Sequence, residues 1–248
     1  MTLRIAAHVH SAWSYDGQWA LEDLARAFAK RAYRAVLMAE HDNTFDAGRW
    51  RAYRAACIEA SAHGALLVPG IEYSDRANRV HVPVWGAEDF LGAGRPTQDL
   101  LADARAAGAF AMLAHPGRRD AWRTLSAECL ALAHAVEVWN RKYDGWAASA
   151  VALEIASRHR LAPFVGLDFH TARQFFPLGM CDPSPGSDPL SVDSVFGALH
   201  AQSLVPTAFT LPARRFTTGP GLNAARAGEF ARRRLARALR PARRVASR

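Results

Sequence analysis

Six of the ten histidines in this 248-residue chain, together with three carboxylates, make up a series of short motifs that runs from position 8 to position 170. His8 and His10 are one residue apart, and Asp16 follows in Ser-Tyr-Asp-Gly. His41 sits in Glu-His-Asp, Glu72 in Gly-Ile-Glu, His81 in Val-His, His115 in Ala-His-Pro-Gly, and Asp168 and His170 in Gly-Leu-Asp-Phe-His. Imidazole nitrogen mixed with carboxylate oxygen is the donor set of a borderline or hard divalent cation, and nine donors exceed what one tetrahedral ion takes. The expectation is a metal cluster. His8 and His10, at i and i+2 of a strand, face the same side and can grip one ion, and Asp168 and His170 can do so from the far side. Glu72, midway along the series, is the choice for a carboxylate bridging two ions.

Such scattered donors need a scaffold that gathers them. Short apolar runs of strand length alternate with segments of helical period, the pattern of βα units around a parallel sheet. Strands are expected near Arg4 to His8, Ala35 to Glu40, Ala65 to Ile71, Val80 to Trp85, Phe110 to Leu113, Ala135 to Trp139, Pro163 to Leu167 and Leu204 to Phe209. The first helix should bury Leu21, Leu24, Ala25 and Phe28, with Glu22 and Asp23 in its opening turn where the helix dipole favours acid. Others are expected near Ala47 to Ala62, Thr97 to Ala107, Ala147 to Arg158 and Val192 to Ala201, and Asp182 to Pro189 reads as a loop. His8, His41, Glu72, His115 and Asp168 each fall at the end of an expected strand or just beyond it. In barrel and doubly wound α/β folds the βα loops converge there, so the donors would meet at one mouth.

At residue level the motifs His8-x-His10 with Ser14-Tyr15-Asp16-Gly17, Glu40-His41-Asp42, Gly70-Ile71-Glu72, Val80-His81, Ala114-His115-Pro116 and Gly166-x-Asp168-x-His170 resemble, in content and order, the PHP (polymerase and histidinol phosphatase) metallohydrolases. The resemblance spans roughly residues 4 to 210. It implies an α/β fold, a distorted (β/α)7 barrel in a single domain, with up to three divalent ions, usually zinc, manganese or iron, at the mouth. It also implies that His8, His10, Glu72 and Asp168 hold one ion, Asp16, His41 and His170 a second, and Glu72, His81 and His115 a third, with Asp16, His41, His115 and His170 as the catalytic candidates. This chain departs from the family at Ala6-Ala7 before His8, at Ala39-Glu40 before His41 and at Leu167 before Asp168. None is a ligand position, so the departures bear on the residues around the ligands and on substrate preference.

A divalent ion lowers the pKa of a bound water from about 15.7 to near 7, so hydrolysis of a phosphoester by a metal-bound hydroxide is the natural reaction. Arg118 and Arg119, after His115-Pro116-Gly117, and Arg173, after His170, are placed to meet phosphoryl oxygens. Asn140, Lys142 and Asp144 follow the strand Val136 to Trp139 and can line the same mouth; Arg118, Arg173 and Asn140 are the substrate-binding candidates. Asp42 is a candidate to orient a ligand histidine through its second nitrogen. Trp13 and Trp85 read as core first and as a wall for a base or ring second.

Composition bounds the rest. Half the residues are hydrophobic, enough for a sizeable core, and no apolar run is long enough for a transmembrane helix. With the first donor already at position 8, no secretory leader is expected. Cys57, Cys129 and Cys181 have neither disulfide nor zinc-knuckle spacing, so reduced thiols and a cytoplasmic location are expected. The net charge of +8 resides entirely in residues 226–248, which hold nine arginines and one glutamate. We therefore divide the chain into a hydrolase unit, 1–225, and a basic C-terminal tail, 226–248, helical up to a stop at Pro241 and able to contact nucleic acid or an anionic surface. The leading expectation is a metal-dependent phosphoric monoester hydrolase acting on a nucleotide, nucleoside bisphosphate or phosphorylated metabolite. The alternatives are metal-dependent hydrolysis of a carboxylic ester, carbamate or amide, and a nucleic-acid partner protein docking through the tail.

Overall fold

Ile5 to Val9 are buried without interruption, as a strand covered on both faces requires. They lie in β1 (Leu3–Val9), at the centre of a computed structural model that describes residues 3–183 and 189–238. The chain continues through α1 (Leu21–Ala29), β2 (Ala35–Met38), β3 (Glu40–His41), α2 (Ala47–Ser61), β4 (Leu66–Val68), β5 (Gly70–Ser74), β6 (His81–Trp85), α3 (Thr97–Ala106) and β7 (Phe110–Leu113). It ends with α4 (Ala127–Leu132), β8 (Ala135–Asn140), α5 (Ala150–His159), β9 (Ala162–Gly166), β10 (Leu178–Asp182), α6 (Val192–His200), β11 (Val205–Ala208), β12 (Leu211–Pro212), α7 (Arg214–Thr217) and α8 (Gly219–Ala238). These form one mixed α/β domain with two six-stranded sheets, ordered β12-β11-β10-β1-β2-β4 and β3-β5-β6-β7-β8-β9.

The sheets are continuous with each other on two sides. One residue, Ala39, separates β2 from β3, and Pro69 separates β4 from β5, so the parallel pair β2·β4 runs on into the parallel pair β3·β5. On the other side, the segment after β9 hydrogen-bonds along β1: Leu167 N to Ala7 O at 2.9 Å, Phe169 N to His8 O at 3.0 Å and His10 N to Phe169 O at 2.8 Å.

The structure corrects the all-parallel expectation. Strand β6 runs antiparallel to both β5 and β7, and β10 to both β1 and β11. Only residues 75–80 join β5 to β6, far fewer than a parallel crossover needs, so the chain turns back as a hairpin. Strand β10 was not expected, and its last residue, Asp182, opens the stretch expected as a loop. The rest of the expected Asp182 to Pro189 loop falls largely on residues 184–188, outside the described ones. Helix α5 begins at Ala150, not Ala147, because Ser149 caps it by accepting from Ala152 N. The basic segment enters midway along α8, and the expected stop at Pro241 lies outside the described residues.

Helix α1 buries Leu21, Leu24, Ala25, Ala27 and Phe28. Phe28 meets Tyr33, Phe169 and Phe175 at ring-centroid distances of 5.5, 5.4 and 5.3 Å, so the helix is tied to the segment that carries Asp168 and His170. Trp85 is fully buried, its Nε1 donating to Met38 O at 2.6 Å, which makes it a core residue. Trp13 packs on Phe45 and Tyr53, and Arg49 lies over its ring. Cys57 and Cys129 are buried and Cys181 half-buried, all as free thiols. No described helix is long and apolar enough to cross a membrane. Replacing the fully buried ring in Phe28→Ala should cost about 3–5 kcal/mol in chemical denaturation, and a loss below about 1 kcal/mol would mean that α1 is not packed as described.

Candidate metal centre

Glu72 lies in the middle of β5, 1% exposed, and imidazoles surround its carboxylate. Its Oε1 is 3.2 Å from His8 Nε2, 2.8 Å from His81 Nδ1 and 3.1 Å from His115 Nε2. Its Oε2 is 3.1 Å from His41 Nδ1 and 3.7 Å from His10 Nε2. Asp168 closes one side, with Oδ1 3.6 Å from His10 Nε2 and 3.3 Å from His170 Nδ1, and Oδ2 3.8 Å from His115 Nε2. Asp16 closes the open side, with Oδ1 3.3 Å from His41 Nε2 and Oδ2 3.1 Å from His170 Nε2. All nine sequence-derived donors thus occupy one cluster. Within it, His10, His41 and His170, then His8, Glu72 and His115, and then His8, His10 and Asp168 each bring donor atoms within 4.8 Å of one another.

The backbone bends to make this possible. His8, His115 and Asp168 have φ of 61°, 28° and 46°, in the left-handed region that side chains with a Cβ avoid. The β1·β2 pairing shifts register between Ala7 and Val9, turning His8 inward. His81 comes from the first residue of its strand, since antiparallel β6 starts where its neighbours end.

Several buried atoms of the cluster have no aligned hydrogen bond: His8 Nε2, His10 Nε2, His115 Nδ1 and Asp16 Oδ1. Buried polar atoms without partners are rare, and His8 Nε2 and His10 Nε2 both lie within 3.7 Å of the Glu72 carboxylate, so the donor set fits divalent cations. Protons serve it unevenly. Burial works against a charged His8, yet Glu137, Glu72 and Asp168 raise its pKa well above the ordinary value, while burial and neighbouring histidines push His10 well below. Burial also lowers His115. His41, despite burial, is raised to about 10 by the Asp16 and Glu72 carboxylates, 3.3 and 3.1 Å from its ring nitrogens. Burial opposes ionisation of Asp168, but His8 and Lys142 hold it down to about 2. Glu72 is likewise held well below the carboxylate range, against burial, by His81 and His8.

Two acids support the donors from behind. Glu137, fully buried in β8, has Oε1 3.1 Å from His8 Nδ1, while its Oε2 accepts from His115 N at 2.9 Å and Asn140 Nδ2 at 2.9 Å. A proton on His8 Nδ1 leaves Nε2 as a lone pair facing Glu72. A Cβ at Gly166 would overlap the Glu137 carboxylate, so glycine at the end of β9 makes room for it. Glu40 accepts from Ser11 N, Ser11 Oγ and Ser14 Oγ, and Ser14 Oγ in turn accepts from His41 N. Sequence reasoning missed Glu137, although a lone acid inside Ala-Val-Glu-Val-Trp signalled a buried carboxylate. Asp42, expected to orient a histidine, is instead bound by Ser74 N, Ser74 Oγ and Gly94 N.

Asp16, His41 and His81 also line a cavity of about 390 Å³, with Tyr15, Arg76, Asn78, Arg118, Lys142 and Tyr143 on its other walls. Arg118 donates from Nε to Tyr143 Oη at 3.1 Å and from Nη1 to Asn78 O at 2.9 Å. Lys142 Nζ donates to Asp168 Oδ1 at 3.1 Å. Asn140 is fully buried, its amide used by Glu137, Asp168 and the backbone of Lys142 and Tyr143. Arg119 is exposed beside Asn78, and Arg173 is exposed on a short 3-10 turn outside the residues lining the cavity. Asn78 and Tyr143 come from loops that supply none of the nine donors, while Tyr15 lies inside the Ser14-Tyr15-Asp16-Gly17 motif.

No protein-family model matches the chain, and no curated protein does. Solved structures do. A protein assigned as a metal-dependent phosphoesterase from Bifidobacterium adolescentis shares 18% identity at a TM-score of 0.50, over 79% of this chain and 95% of that one. An amidohydrolase from Chromobacterium violaceum, with bound sulfate and no metal, shares 18% at 0.52, over 80% and 96%. The lesion-specific endonuclease EndoQ from Pyrococcus furiosus shares 11% at 0.52, over 84% and 59%. The chain shares the fold of these metal-dependent hydrolase structures.

In Glu137→Gln the three donors His8 Nδ1, His115 N and Asn140 Nδ2 would meet one acceptor oxygen and an amide. Metal affinity should fall about 10–100-fold in a metal titration, and an unchanged affinity would remove Glu137 from the centre. The raised His41 has a simple sign. In chelator-treated protein its stabilising charge is complete below the free value of 6.5 and is lost as pH rises through about 10. The melting temperature should therefore decline across that window, less steeply in His41→Gln; equal declines would contradict the pairing with Asp16 and Glu72.

Proposed function

We propose that this chain is a metal-dependent phosphoesterase that hydrolyses a small phosphorylated substrate, a nucleotide, nucleoside bisphosphate or phosphorylated metabolite. One observation carries the reading: donors of the centre share a cavity with the cationic groups of Arg76, Arg118 and Lys142. Anionic oxygens would find positive charge on one wall and the centre on the other. The fold neighbours described as a metal-dependent phosphoesterase and a sulfate-bound amidohydrolase are in keeping with this.

For the scaffold we propose a distorted (β/α)7 barrel, which the hydrogen bonds joining the two sheets on both sides support. His8, His10, Asp16, His41, Glu72, His81, His115, Asp168 and His170 would hold up to three ions of zinc, manganese or iron in the three sets given above. Divalent ions so held supply an activated water near neutral pH and charge for the phosphoryl oxygens. The chain does the rest. Asp16, His41, His115 and His170 are the proposed catalytic side chains, and Asp16, about one-third exposed, stands nearest to incoming substrate. Arg118 and Lys142 would neutralise the phosphoryl group, Tyr15 and Tyr143 would limit water access, and Asn140 would serve from within by holding Asp168 and the Lys142 backbone. Arg173 would contact only a substrate reaching past the cavity rim. A cytoplasmic location and the division into residues 1–225 and a basic tail, 226–248, with nucleic-acid or anionic-surface contact through the tail, belong to the same proposal.

Hydrolysis of a carboxylic ester, carbamate or amide is the second reading, favoured by the amidohydrolase neighbour. The cationic wall argues for a multiply charged substrate over a neutral carbonyl. In the third reading, a nucleic-acid partner protein, nine assembled donors would have no purpose.

With manganese or zinc supplied, the chain should release phosphate from a panel of nucleotides, nucleoside bisphosphates and sugar phosphates, and His115→Ala should not. Absence of release by metal-loaded wild type would shift the assignment to carbon–oxygen or carbon–nitrogen bonds. Arg118→Ala should lower kcat/KM about tenfold or more, about 1.4 kcal/mol; unchanged kinetics would place Arg118 outside the substrate site.

A further inference from the structure

Helix α8 meets the turn beside the metal centre through its single acid. Glu229 is only 6% exposed although arginines surround it in sequence. Its Oε2 accepts from Trp146 N at 3.0 Å and Arg232 Nε at 2.7 Å, and its Oε1 from Arg232 Nη2 at 2.6 Å and Arg233 Nε at 2.5 Å. Arg233 Nη2 also donates to Tyr143 O at 3.3 Å. Gly145 has φ of 75°, and a Cβ there would overlap the Glu229 carboxylate, so the turn lies with bare backbone against the acid.

The other contacts of that turn lead to the centre. Trp139 Nε1 donates to Gly145 O at 3.1 Å, and Asn140 Oδ1 accepts from Lys142 N at 2.9 Å and Tyr143 N at 3.0 Å. The two residues so framed face the site: Lys142 Nζ donates to Asp168 Oδ1, and Tyr143 accepts from Arg118 Nε while its ring lies 4.8 Å from that of His115. The Trp146 side chain is 43% exposed, so packing of its ring alone does not anchor this end of the turn.

We propose that Glu229 is a positioning residue: by holding Trp146 N and the Gly145 backbone it fixes the turn that sets Lys142 and Tyr143 against the metal centre, and α8 acts as a strap on the substrate side. The kinetic consequence rests on the phosphoesterase reading; the strap itself does not. Removing residues 226–248 would then impair the site through the loss of one carboxylate and not through the loss of positive charge.

The test uses the full chain loaded with manganese, comparing wild type, Glu229→Ala, Glu229→Gln and Arg234→Ala, a charge control that keeps the carboxylate. Hydrogen exchange should quicken about tenfold or more at the amides of residues 141–148 in Glu229→Ala, and elsewhere in the domain stay as in wild type. With p-nitrophenyl phosphate, its KM should rise about fivefold or more while kcat changes less than about threefold and metal content is unchanged. Glu229→Gln, which keeps an acceptor for Trp146 N, should recover most of the loss, and Arg234→Ala should match wild type. Exchange at 141–148 unchanged in Glu229→Ala would overturn the proposal, as would a joint collapse of kcat, KM and metal content, which marks general fold support. If wild type hydrolyses no phosphoester and the turn still exchanges faster in Glu229→Ala, the strap stands and the phosphoesterase reading falls.

Discussion

Taking a carboxylate out of water costs several kcal/mol unless opposite charge and hydrogen bonds accompany it. Glu72, in the middle of a central strand, meets that requirement with five imidazoles drawn from β1 and the residue after it, β3, β6 and the loop after β7. Those imidazoles are themselves buried, so each needs a further partner. Glu137 serves His8, Asp168 serves His10 and His170, and Asp16 serves His41 and His170. The demand passes outward to Glu40, Asn140 and Gly166, which shape the shell around these donors.

Much of this was legible in the chain. The donors announce themselves by type, and their places at strand ends follow because strands buried on both faces read as continuous apolar runs, as in Ala35 to Met38 or Phe110 to Leu113. Direction was less legible. That β6 runs backwards is implied by the six residues before it, too few for a helix, yet its apolar run looks like any other. Strand β10, Leu-Gly-Met-Cys-Asp beside Pro177, has weak local strand character; it pairs with β1 because an edge was available there, a tertiary fact. Substrate-side residues such as Asn78 and Tyr143 come from loops, where position follows from the whole fold. The role of Glu229 was hidden by its neighbours, since among arginines it reads as one more surface charge.

Opposed charges in the centre also explain why it is no ordinary salt-bridge network. Histidines held charged by carboxylates, such as His8 and His41, stand beside histidines pushed neutral, such as His10 and His115. Several ring nitrogens in the interior, His8 Nε2, His10 Nε2 and His115 Nδ1, have no hydrogen-bond partner. An arrangement that protons cannot complete suits ions of higher charge and several coordination positions.

The left-handed backbone at His8, His115 and Asp168 bears on how such a centre can be lost. Residues held in that region cost about 1–3 kcal/mol each, a strain that glycine would not carry and asparagine would carry more lightly. At these three positions the backbone prefers one residue and the chemistry another. A chance change of a ligand to glycine would relieve backbone strain while abolishing a donor, so damage to the centre need not announce itself as an unfolded protein. Descendants of this chain could drift into well-folded scaffolds without the donor cluster, since the fold itself does not require it.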